Sequence, residues 1–529
     1  MVYLTTPHSV ITGRRAITCR SATACALSLS LLVLVGCAST GALPSAQQAR
    51  EASALAAPAA WQTALPHGGN TDSLANWWAQ LGDSLLPELV NAAQERSASL
   101  AGARSRIFQA RAALAGAQAA LGPRLSANAS ALRGVQAPDA PAATNLSAGL
   151  QAAWELDLFG GNAAARSASR LRLENANLGW HEARVSLAAD VAATYFNLRH
   201  CESVLALTEN DARSRTETAR LNALTAKAGL NAPANAALAN ASAADAASGL
   251  RAQQAQCSVA LKGLVALTGL EETALNLKLS QKSTQTQTQT QTPSPKIDQN
   301  SQEKKAADQQ GYAQAALFSI ANLPAQVLQQ RPDIASAQRN VIAAQQDASA
   351  SDAQRLPKIS LNGSIAGARI TTMGQTNSGA TWSLGPLAVS LPIFDGGQTA
   401  ANTRATIAAY DEAVVVLQAK VLQAVREVEE ALVNLSSTNE RRVDVLQAAS
   451  GYQASLEATQ ARYRAGLASL AELEESRRIA LASQQNQLGL ERERIAAWIA
   501  LYRAAGGGWN GQVDALVVGI GKASLVAAP

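Results

Sequence analysis

A junction that occurs twice in the chain constrains its fold more than any other feature. Residues 154–166 read WELDLFGGNAAAR, and residues 391–404 read LPIFDGGQTAANTR. The junction residues are Phe159, Gly160 and Gly161 in the first copy, and Phe394, Gly396 and Gly397 in the second. A strand-like run precedes each copy, and a long run that favours helix follows it. This duplication predicts two structural repeats, each with a change from strand to long helix that glycine eases.

Each repeat contains two segments with the pattern of membrane strands. In the first repeat, apolar residues alternate with polar ones from Leu146 to Leu158, which is typical of a strand with one apolar face. A shorter strand is expected over 125–134. In the second repeat we expect strands over 359–371 and 381–393, a turn over 374–379, and a kink or bulge at Gly385-Pro386. About 13 residues are enough to cross a membrane when the strand is tilted.

Long helical hairpins are predicted after the junctions. Residues 162–228 and 398–465 contain no proline and a single glycine each, which predicts helices of roughly 100 Å at 1.5 Å per residue. The turns at the hairpin tips are predicted at Gly229-Leu230 and at Gly466-Leu467. Return helices should then end near residues 267 and 505. Two further helical stretches are predicted, one from about residue 84 to residue 121 and one that follows Ile334 and ends at about Arg355.

The N-terminus is typical of an export signal. Basic residues precede an apolar run over 22–35 that is too short to span a bilayer, and the run ends in Leu34-Val35-Gly36-Cys37. This motif predicts that residues 1–36 are removed and that Cys37 receives a diacylglycerol group and an N-acyl chain. The alternative is an ordinary signal peptide with a chance cysteine. Ala38 favours the outer membrane, and residues 37–72 should form an extended tether.

Two cysteines outside this region are expected to pair. Cys201 and Cys257 are equally far from Gly229 in the sequence. If the chain reverses at Gly229, two antiparallel helices bring the cysteines side by side in an oxidising compartment. A disulfide there would be worth about 4 kcal/mol in the chain-entropy model. The alternative is a pair of buried free thiols.

Composition and motifs argue against an enzyme or a nucleic-acid-binding protein. The net charge of +5 is spread along a chain with only 4% aromatic residues, so there is no basic patch for nucleic acid. The four histidines belong to no recognisable catalytic or metal-binding motif. We expect no catalytic residue, no metal site and no cofactor apart from the covalent lipid at Cys37.

A low-complexity segment divides the chain. Residues 281–310 contain alternating Thr and Gln, two prolines and a charged patch, and we predict a disordered insertion because such a sequence cannot build a core. The first repeat then covers residues 73–280 and the second covers residues 311–508. Residues 509–529 form a C-terminal tail.

The predicted strands require an oligomer if they cross a membrane. Open sheet edges are not tolerated in lipid, and a closed barrel needs about eight strands or more. Two copies of a chain with four strands would enclose a filled interior, whereas three copies would leave room for a lumen. The long helices would leave one end of the barrel together.

Several segments taken together resemble the outer-membrane factor family typified by TolC, and within it the NodT/OprM-type efflux lipoproteins. They are Leu34-Val35-Gly36-Cys37, Trp77-Trp78 through Asp83, Arg331-Pro332-Asp333-Ile334, residues 356–361 (LPKISL) and residues 391–397 (LPIFDGG). The resemblance implies an α+β membrane protein of the Gram-negative outer membrane. Its trimer would form a 12-stranded β-barrel, with four strands per chain, continuous with a long periplasmic α-helical barrel.

The resemblance also implies a function and partners. The trimer would passively conduct drugs or other small molecules that it receives from a periplasmic membrane-fusion adaptor and an inner-membrane pump of the resistance-nodulation-division type. A channel for type I protein secretion or for metal-ion efflux is the alternative within this architecture. A fibrous coiled-coil surface protein is the alternative from another class.

Functional residues are implied at the helix tips. Gly229, Leu230, Gly466 and Leu467 would contact the adaptor, while a plain helix reversal is the alternative. Glu472 and Glu475 match positions where the family often has Asp, and with Tyr463 they would line a periplasmic gate that opens like an iris. A solvated helix face is the alternative for this charge run. An arginine that some members pair with the tyrosine is replaced here by Ala468.

Overall fold

The computed structural model describes residues 43–54, 61–62, 83–135, 141–288 and 324–509. In chain order the elements are α1 (Ala46–Ala52), α2 (Leu85–Arg96), α3 (Ala98–Ala119), β1 (Arg124–Gly134), β2 (Ala143–Leu156), α4 (Gly161–Lys227), α5 (Pro233–Thr268), α6 (Glu272–Thr288), α7 (Pro324–Gln329), α8 (Pro332–Ala353), β3 (Lys358–Thr372), β4 (Gln375–Ser390), α9 (Gln398–Arg464) and α10 (Leu470–Ala504). Both repeats therefore run in the order helix, strand, strand, long helix, return helix. None of the helices in these ranges combines the length and the apolar character needed to cross a membrane.

The two long helices have the same length. Both α4 and α9 contain 67 residues, which corresponds to about 100 Å. Each is followed by a return helix about half as long, of 36 residues in α5 and 35 in α10. Alanine is frequent along their buried faces, and its small side chain lets neighbouring helices pack closely.

All four strands form one antiparallel sheet in the order β1-β2-β3-β4. The register places Ala127, Leu150, Ile365 and Trp382 in one cross-strand row. The adjacent row, on the opposite face, consists of Ser126, Gln151, Ser364 and Ser383. One face of the sheet is therefore apolar and the other polar, because cross-strand neighbours share a face and successive residues alternate.

Hydrogen bonds between side chains connect the strands on the polar face. Ser130 and Ser147 hydroxyls lie 2.7 Å apart, and the Nδ2 of Asn128 donates to the Oε1 of Gln151 at 3.0 Å. On the apolar face the large side chains are exposed in the single chain, and Trp382 is 80% exposed. Among the strands that the structure describes, β1 and β4 each have a single neighbour, so both edges of this sheet are open.

The second hairpin differs from the prediction at its turn. The turn predicted over 374–379 consists only of Met373 and Gly374, because Thr372 already pairs with Gln375. Both turn residues have positive φ, 49° and 78°, as a tight type I′ turn requires. The predicted irregularity at Gly385-Pro386 is confirmed, since the register of β3 and β4 shifts between Leu361 and Gly363, opposite these residues.

Part of the predicted tether is a packed helix, so the prediction of an extended segment over 37–72 is wrong there. Ser45 and Gln48 form a capping box that starts α1, and Ala49 is 1% exposed against α8 and α9. The Nε2 of Gln345 donates to the Pro44 carbonyl at 3.2 Å. Local capping and contacts to a distant helix therefore order a segment that has little periodicity. Cys37 and the signal lie outside the described residues.

Two helix boundaries also differ from expectation. The helix predicted over residues 84–121 is divided into α2 and α3 at Ser97. This residue has an extended backbone (ψ 123°) and is the N-cap of α3. Its Oγ accepts a hydrogen bond from the Leu100 N–H. Helix α6 continues to Thr288, so the prediction of disorder from residue 281 is wrong for residues 281–288. Residues 289–310 of the insertion lie outside the described residues.

The main core lies between the two repeats, well away from the helix tips. It joins α2, α4, α5, α9 and α10 through residues such as Leu86, Leu89, Tyr195, Leu264 and Leu501. The Tyr195 hydroxyl donates to the buried carboxylate of Asp83, and the Arg199 Nε donates to the Tyr195 oxygen at 3.0 Å. This core fixes the bases of both helical hairpins relative to the sheet.

Candidate functional site

The strand-to-helix junctions depend on left-handed glycines and on a carboxylate before each helix. Gly160 (φ 73°) is the N-cap of α4, and Gly397 (φ 87°) is the N-cap of α9. Gly396 also has positive φ, 65°. Residues with a Cβ rarely adopt a backbone conformation with positive φ. Gly161 is different: it is the first residue of α4, and a Cβ there would lie 2.9 Å from the Cβ of Ala353, so close packing rather than φ favours glycine.

Sequence reasoning missed the acidic residue in each copy of the junction. The Asp157 carboxylate accepts from the N–H groups of Asn162 at 3.1 Å and Ala163 at 2.7 Å. The Asp395 carboxylate accepts from the N–H groups of Gly397 and Thr399, both at 2.8 Å. Hydrogen bonds from Thr399 and from the backbone hold the pKa of Asp395 below its usual value. Both acids satisfy donors at a helix N-terminus, which an Asp shortly before a Gly pair could have indicated.

The apolar residues of the junctions are exposed in the single chain. Phe159 is 50% exposed, and Ile393 and Phe394 are 91% and 92% exposed. These residues come shortly after β2 and β4, at the end of the sheet where α4 and α9 begin. Such exposure of large apolar side chains is expected of a surface that is covered in the assembled protein.

The two helix tips have the same backbone geometry. At the first, the Leu230 N–H donates to the Thr225 carbonyl at 2.9 Å, and Gly229 has a φ of 73°. The corresponding bonds close the second tip, where Gly466 has a φ of 75°. This is the Schellman arrangement, in which the second residue after the helix normally packs back on it. Here Leu230 and Leu467 are instead 81% and 71% exposed.

The three gate residues predicted near the second tip have different environments. Glu472 is the third residue of α10, and its carboxylate accepts from the Ser469 N–H at 3.2 Å in a capping box. Glu475 is exposed and accepts two hydrogen bonds from Arg478, at 2.6 and 3.0 Å. These bonds hold the pKa of Glu475 below its usual value. The Tyr463 hydroxyl accepts from the Asn222 Nδ2 at 2.9 Å, which links α9 to α4.

A charged network that sequence reasoning missed joins the two hairpins beside these residues. Glu474 accepts from the Arg215 Nη1 and the Ser242 Oγ, both at 2.6 Å, and from the Arg477 Nη1 at 2.8 Å. Its side chain is 14% exposed and that of Arg477 only 7%. Arg215 also binds Asp211 at 2.8 Å. The network therefore spans α4, α5 and α10 in a place largely shielded from water.

Cys201 of α4 and Cys257 of α5 form a disulfide. Their Cα atoms are 5.5 Å apart and the sequence separation is 56. The Gln253 Nε2 donates to the Cys201 carbonyl at 3.3 Å. The first hairpin is thus covalently closed, at a point nearer its base than its tip, because Cys257 is 24 residues after the start of α5 and 11 before its end. By contrast, α9 and α10 contain no cysteine.

Known proteins share this architecture. The family model for outer membrane efflux protein matches residues 89–270 and 323–507. The chain is 31% identical over 502 residues to the solvent efflux pump outer membrane protein SrpC of Pseudomonas putida, covering 91% of this chain and 97% of that relative. It is 27% identical over 469 residues to the pyoverdine export outer membrane protein OpmQ of Pseudomonas aeruginosa, covering 87% and 92%. The solved outer-membrane channel OprN superposes with a TM-score of 0.71 at 26% identity, covering 85% of this chain and 97% of that one.

The matched segments fall on both sides of the low-complexity insertion, and each includes a helix, two strands and a helical hairpin. The family, the fold class and the outer-membrane location predicted from the sequence are confirmed by these matches. The chain belongs to the outer membrane efflux protein family.

Proposed function

We propose that three copies of this chain form an outer-membrane channel that passively conducts drugs and other small molecules out of the periplasm. The channel receives them from a periplasmic membrane-fusion adaptor and an inner-membrane pump of the resistance-nodulation-division type. Lipid chains on Cys37 add a membrane anchor. The resemblance to a solvent efflux protein over 91% of the chain supports small molecules as cargo.

One observation carries this proposal. A sheet with an apolar face, a polar face and two open edges continues directly into two helices of 67 residues each. Joining β1 of one copy to β4 of the next would satisfy the open edges in lipid, and three copies would give twelve strands. The polar faces would then line a water-filled lumen, and the helices would extend it through the periplasm.

Conductance measurements test the channel. The full-length protein, extracted in detergent, should run as a trimer that resists heating. The same protein, added to planar bilayers, should give discrete single-channel conductance. A protein that is monomeric, or an oligomer without conductance, would refute the proposal. Loss of drug or solvent tolerance on deletion of the gene should be restored by the intact gene.

The exposed tips support contact with the adaptor. Leu230 and Leu467 extend from Schellman turns without packing on their own helices, which leaves two apolar side chains per chain for a partner. In a trimer six such leucines would form a ring at the periplasmic end. Leu230→Asp combined with Leu467→Asp should abolish efflux and crosslinking to the adaptor but leave the conductance of the purified channel unchanged.

A conservative control separates recognition from folding. Leu230→Met with Leu467→Met keeps an apolar side chain of similar volume and should retain efflux. If the aspartate variant exports as well as the wild type, the tips are plain helix reversals.

The gate is proposed to combine exposed charge with contacts between the hairpins. In a trimer Glu475 would occur three times around the periplasmic entrance and attract cations. Arg478 partly neutralises it, so Arg478→Gln should raise cation selectivity and Glu475→Gln should lower it. Equal reversal potentials for both variants in a salt gradient would contradict this role. Glu472, which caps its own helix, should contribute less to selectivity.

The metal-ion alternative has little chemical support in this chain. The sequence contains 2 methionines. One is Met1, and the other, Met373, lies in the tight turn between β3 and β4 and is 82% exposed. A path of thioether ligands for a soft metal ion cannot be built from them.

A further inference from the structure

The charged residues of the sheet are divided between its faces and its ends. The four strands contain five of them: Arg124, Arg133, Glu155, Lys358 and Arg369. Arg124, Glu155 and Lys358 lie at the end near the helices and on the polar face, since Arg124 pairs with Ala153 and Glu155 with Ser360. Only two charges occur on the apolar face.

Those two charges are both arginines at the far end of the sheet. Arg369 pairs with Leu146, and Arg133 pairs with Thr144 in the next row on the same face. Both side chains are exposed. Neither guanidinium has a hydrogen-bond or ion-pair partner in the part of the chain that the structure describes.

The distance of these two arginines from the start of the apolar face agrees with the thickness of a membrane. The apolar face begins near Ile359, which pairs with Leu156 and Val389. Ten residues separate Ile359 from Arg369 on β3, or about 34 Å along the strand. At a tilt of about 40° this is roughly 26 Å of height, which matches the apolar band of about 25 Å of outer-membrane barrels. Arg133 lies one row further out.

We propose that Arg133 and Arg369 bind the phosphate groups of lipid A in the outer leaflet, and so form a lipid site on the outside of the channel. The helices lie in the periplasm, so the opposite end of the sheet faces the outer leaflet. Guanidinium groups bind phosphate oxygens in bidentate fashion. Arg133 on β1 and Arg369 on β3 are separated by one strand, or about 10 Å across the sheet. One guanidinium is therefore available for each phosphate of a bisphosphorylated lipid A molecule.

The apolar surface below the arginines suits the acyl chains of the same lipid. The row directly below Arg369 has only small side chains, Ala129, Ala148, Gly367 and Ala380. The next row down contains Leu150, Ile365 and Trp382. A recess above larger apolar side chains lets an acyl chain approach the backbone closely while its phosphate reaches the arginines. This site rests on the membrane placement of the sheet but not on what the channel conducts.

A lipid-binding measurement tests the site. The full-length oligomer in detergent is titrated with bisphosphorylated lipid A and with dephosphorylated lipid A, and the bound lipid is counted by native mass spectrometry. The wild type should bind the phosphorylated form at least about tenfold more tightly. The double variant R133Q/R369Q should lose this preference, whereas R133K/R369K should keep most of it.

Arg124→Gln is the matched control, because this exposed arginine is on the same strand but at the opposite end and on the opposite face. It should bind lipid A like the wild type. Equal binding of both lipid forms by the wild type, or unchanged binding by an R133Q/R369Q trimer, would overturn the proposal. Single-channel conductance of the same preparations shows whether the channel itself is intact. If the double variant does not assemble, the single variant R369Q should still bind phosphorylated lipid A several-fold more weakly.

Discussion

Replacing Glu474 with Gln should loosen the contact between the two helical hairpins. The substitution keeps the size of the side chain but removes the charge that Arg215 and Arg477 bind at 2.6 and 2.8 Å. Arg477 is 7% exposed and would lose its only carboxylate partner among the described residues. Removing one partner of a largely buried ion pair costs about 3 kcal/mol. If the gate opens by separating α4 and α5 from α10, this favours the open state by roughly 150-fold per chain.

Open probability in planar bilayers measures this effect. The Glu474→Gln channel should be open far longer than the wild type at equal voltage. Cells that carry it should admit large antibiotics that the outer membrane normally excludes. Glu475→Gln is the matched control, since Glu475 is adjacent but exposed and pairs with a single residue of the described segments, Arg478. Unchanged open probability and unchanged thermal stability in Glu474→Gln would refute the reasoning. A double-mutant cycle with Arg215→Gln should recover a coupling energy of the same sign.

Three further predictions concern stability. Gly397→Ala should lower the yield of heat-resistant trimer, because a Cβ at positive φ costs about 1 kcal/mol. Gly451→Ala, in an open helical position, should instead stabilise the protein by up to about 1 kcal/mol. A change in stability of the same sign for both variants would contradict this. Cys201→Ser with Cys257→Ser should cost about 4 kcal/mol for a separation of 56 residues, and calorimetry without a shift in Tm would exclude it. Burial raises the pKa of Asp333, but the hydrogen bonds and charge of Arg331, the Ile334 N–H and the charge of Lys420 together outweigh burial and leave the pKa below its usual 3.8. A carboxyl whose pKa is lower in the folded state stabilises the fold above its unfolded pKa, and this stabilisation is lost as the pH falls through the folded pKa. The Tm of the wild type should therefore drop more steeply below about pH 4 than the Tm of Asp333→Asn.

The main elements could be predicted because their signals are local and long. Alternation over β2 and the near absence of Gly and Pro over α4 and α9 specify strand and helix without reference to other parts of the chain. The glycines at both tips and at both junctions mark backbone conformations that other residues avoid. For the same reason the bulge opposite Gly385-Pro386 could be found in the sequence.

Features that depend on distant contacts were missed. Helix α1 is ordered by α8, which lies about 290 residues further along the chain. The run Glu472-Leu473-Glu474-Glu475 looks uniformly charged, yet only Glu474 is enclosed by both hairpins. One sequence signal for this face was available: Glu474 follows the apolar Leu470 by four residues, and residues four apart share a helix face.

The open edges of the sheet limit the order in which the channel can be built. In β1 and β4 roughly half of the backbone N–H and C=O groups point away from the sheet, and each would cost several kcal/mol if left unpaired in lipid. A single chain therefore has no stable inserted state. The edges of neighbouring chains must meet before or during entry into the membrane. The rate at which channels appear should then rise more steeply than in proportion to the concentration of unassembled chain, unlike that of a barrel closed within one chain.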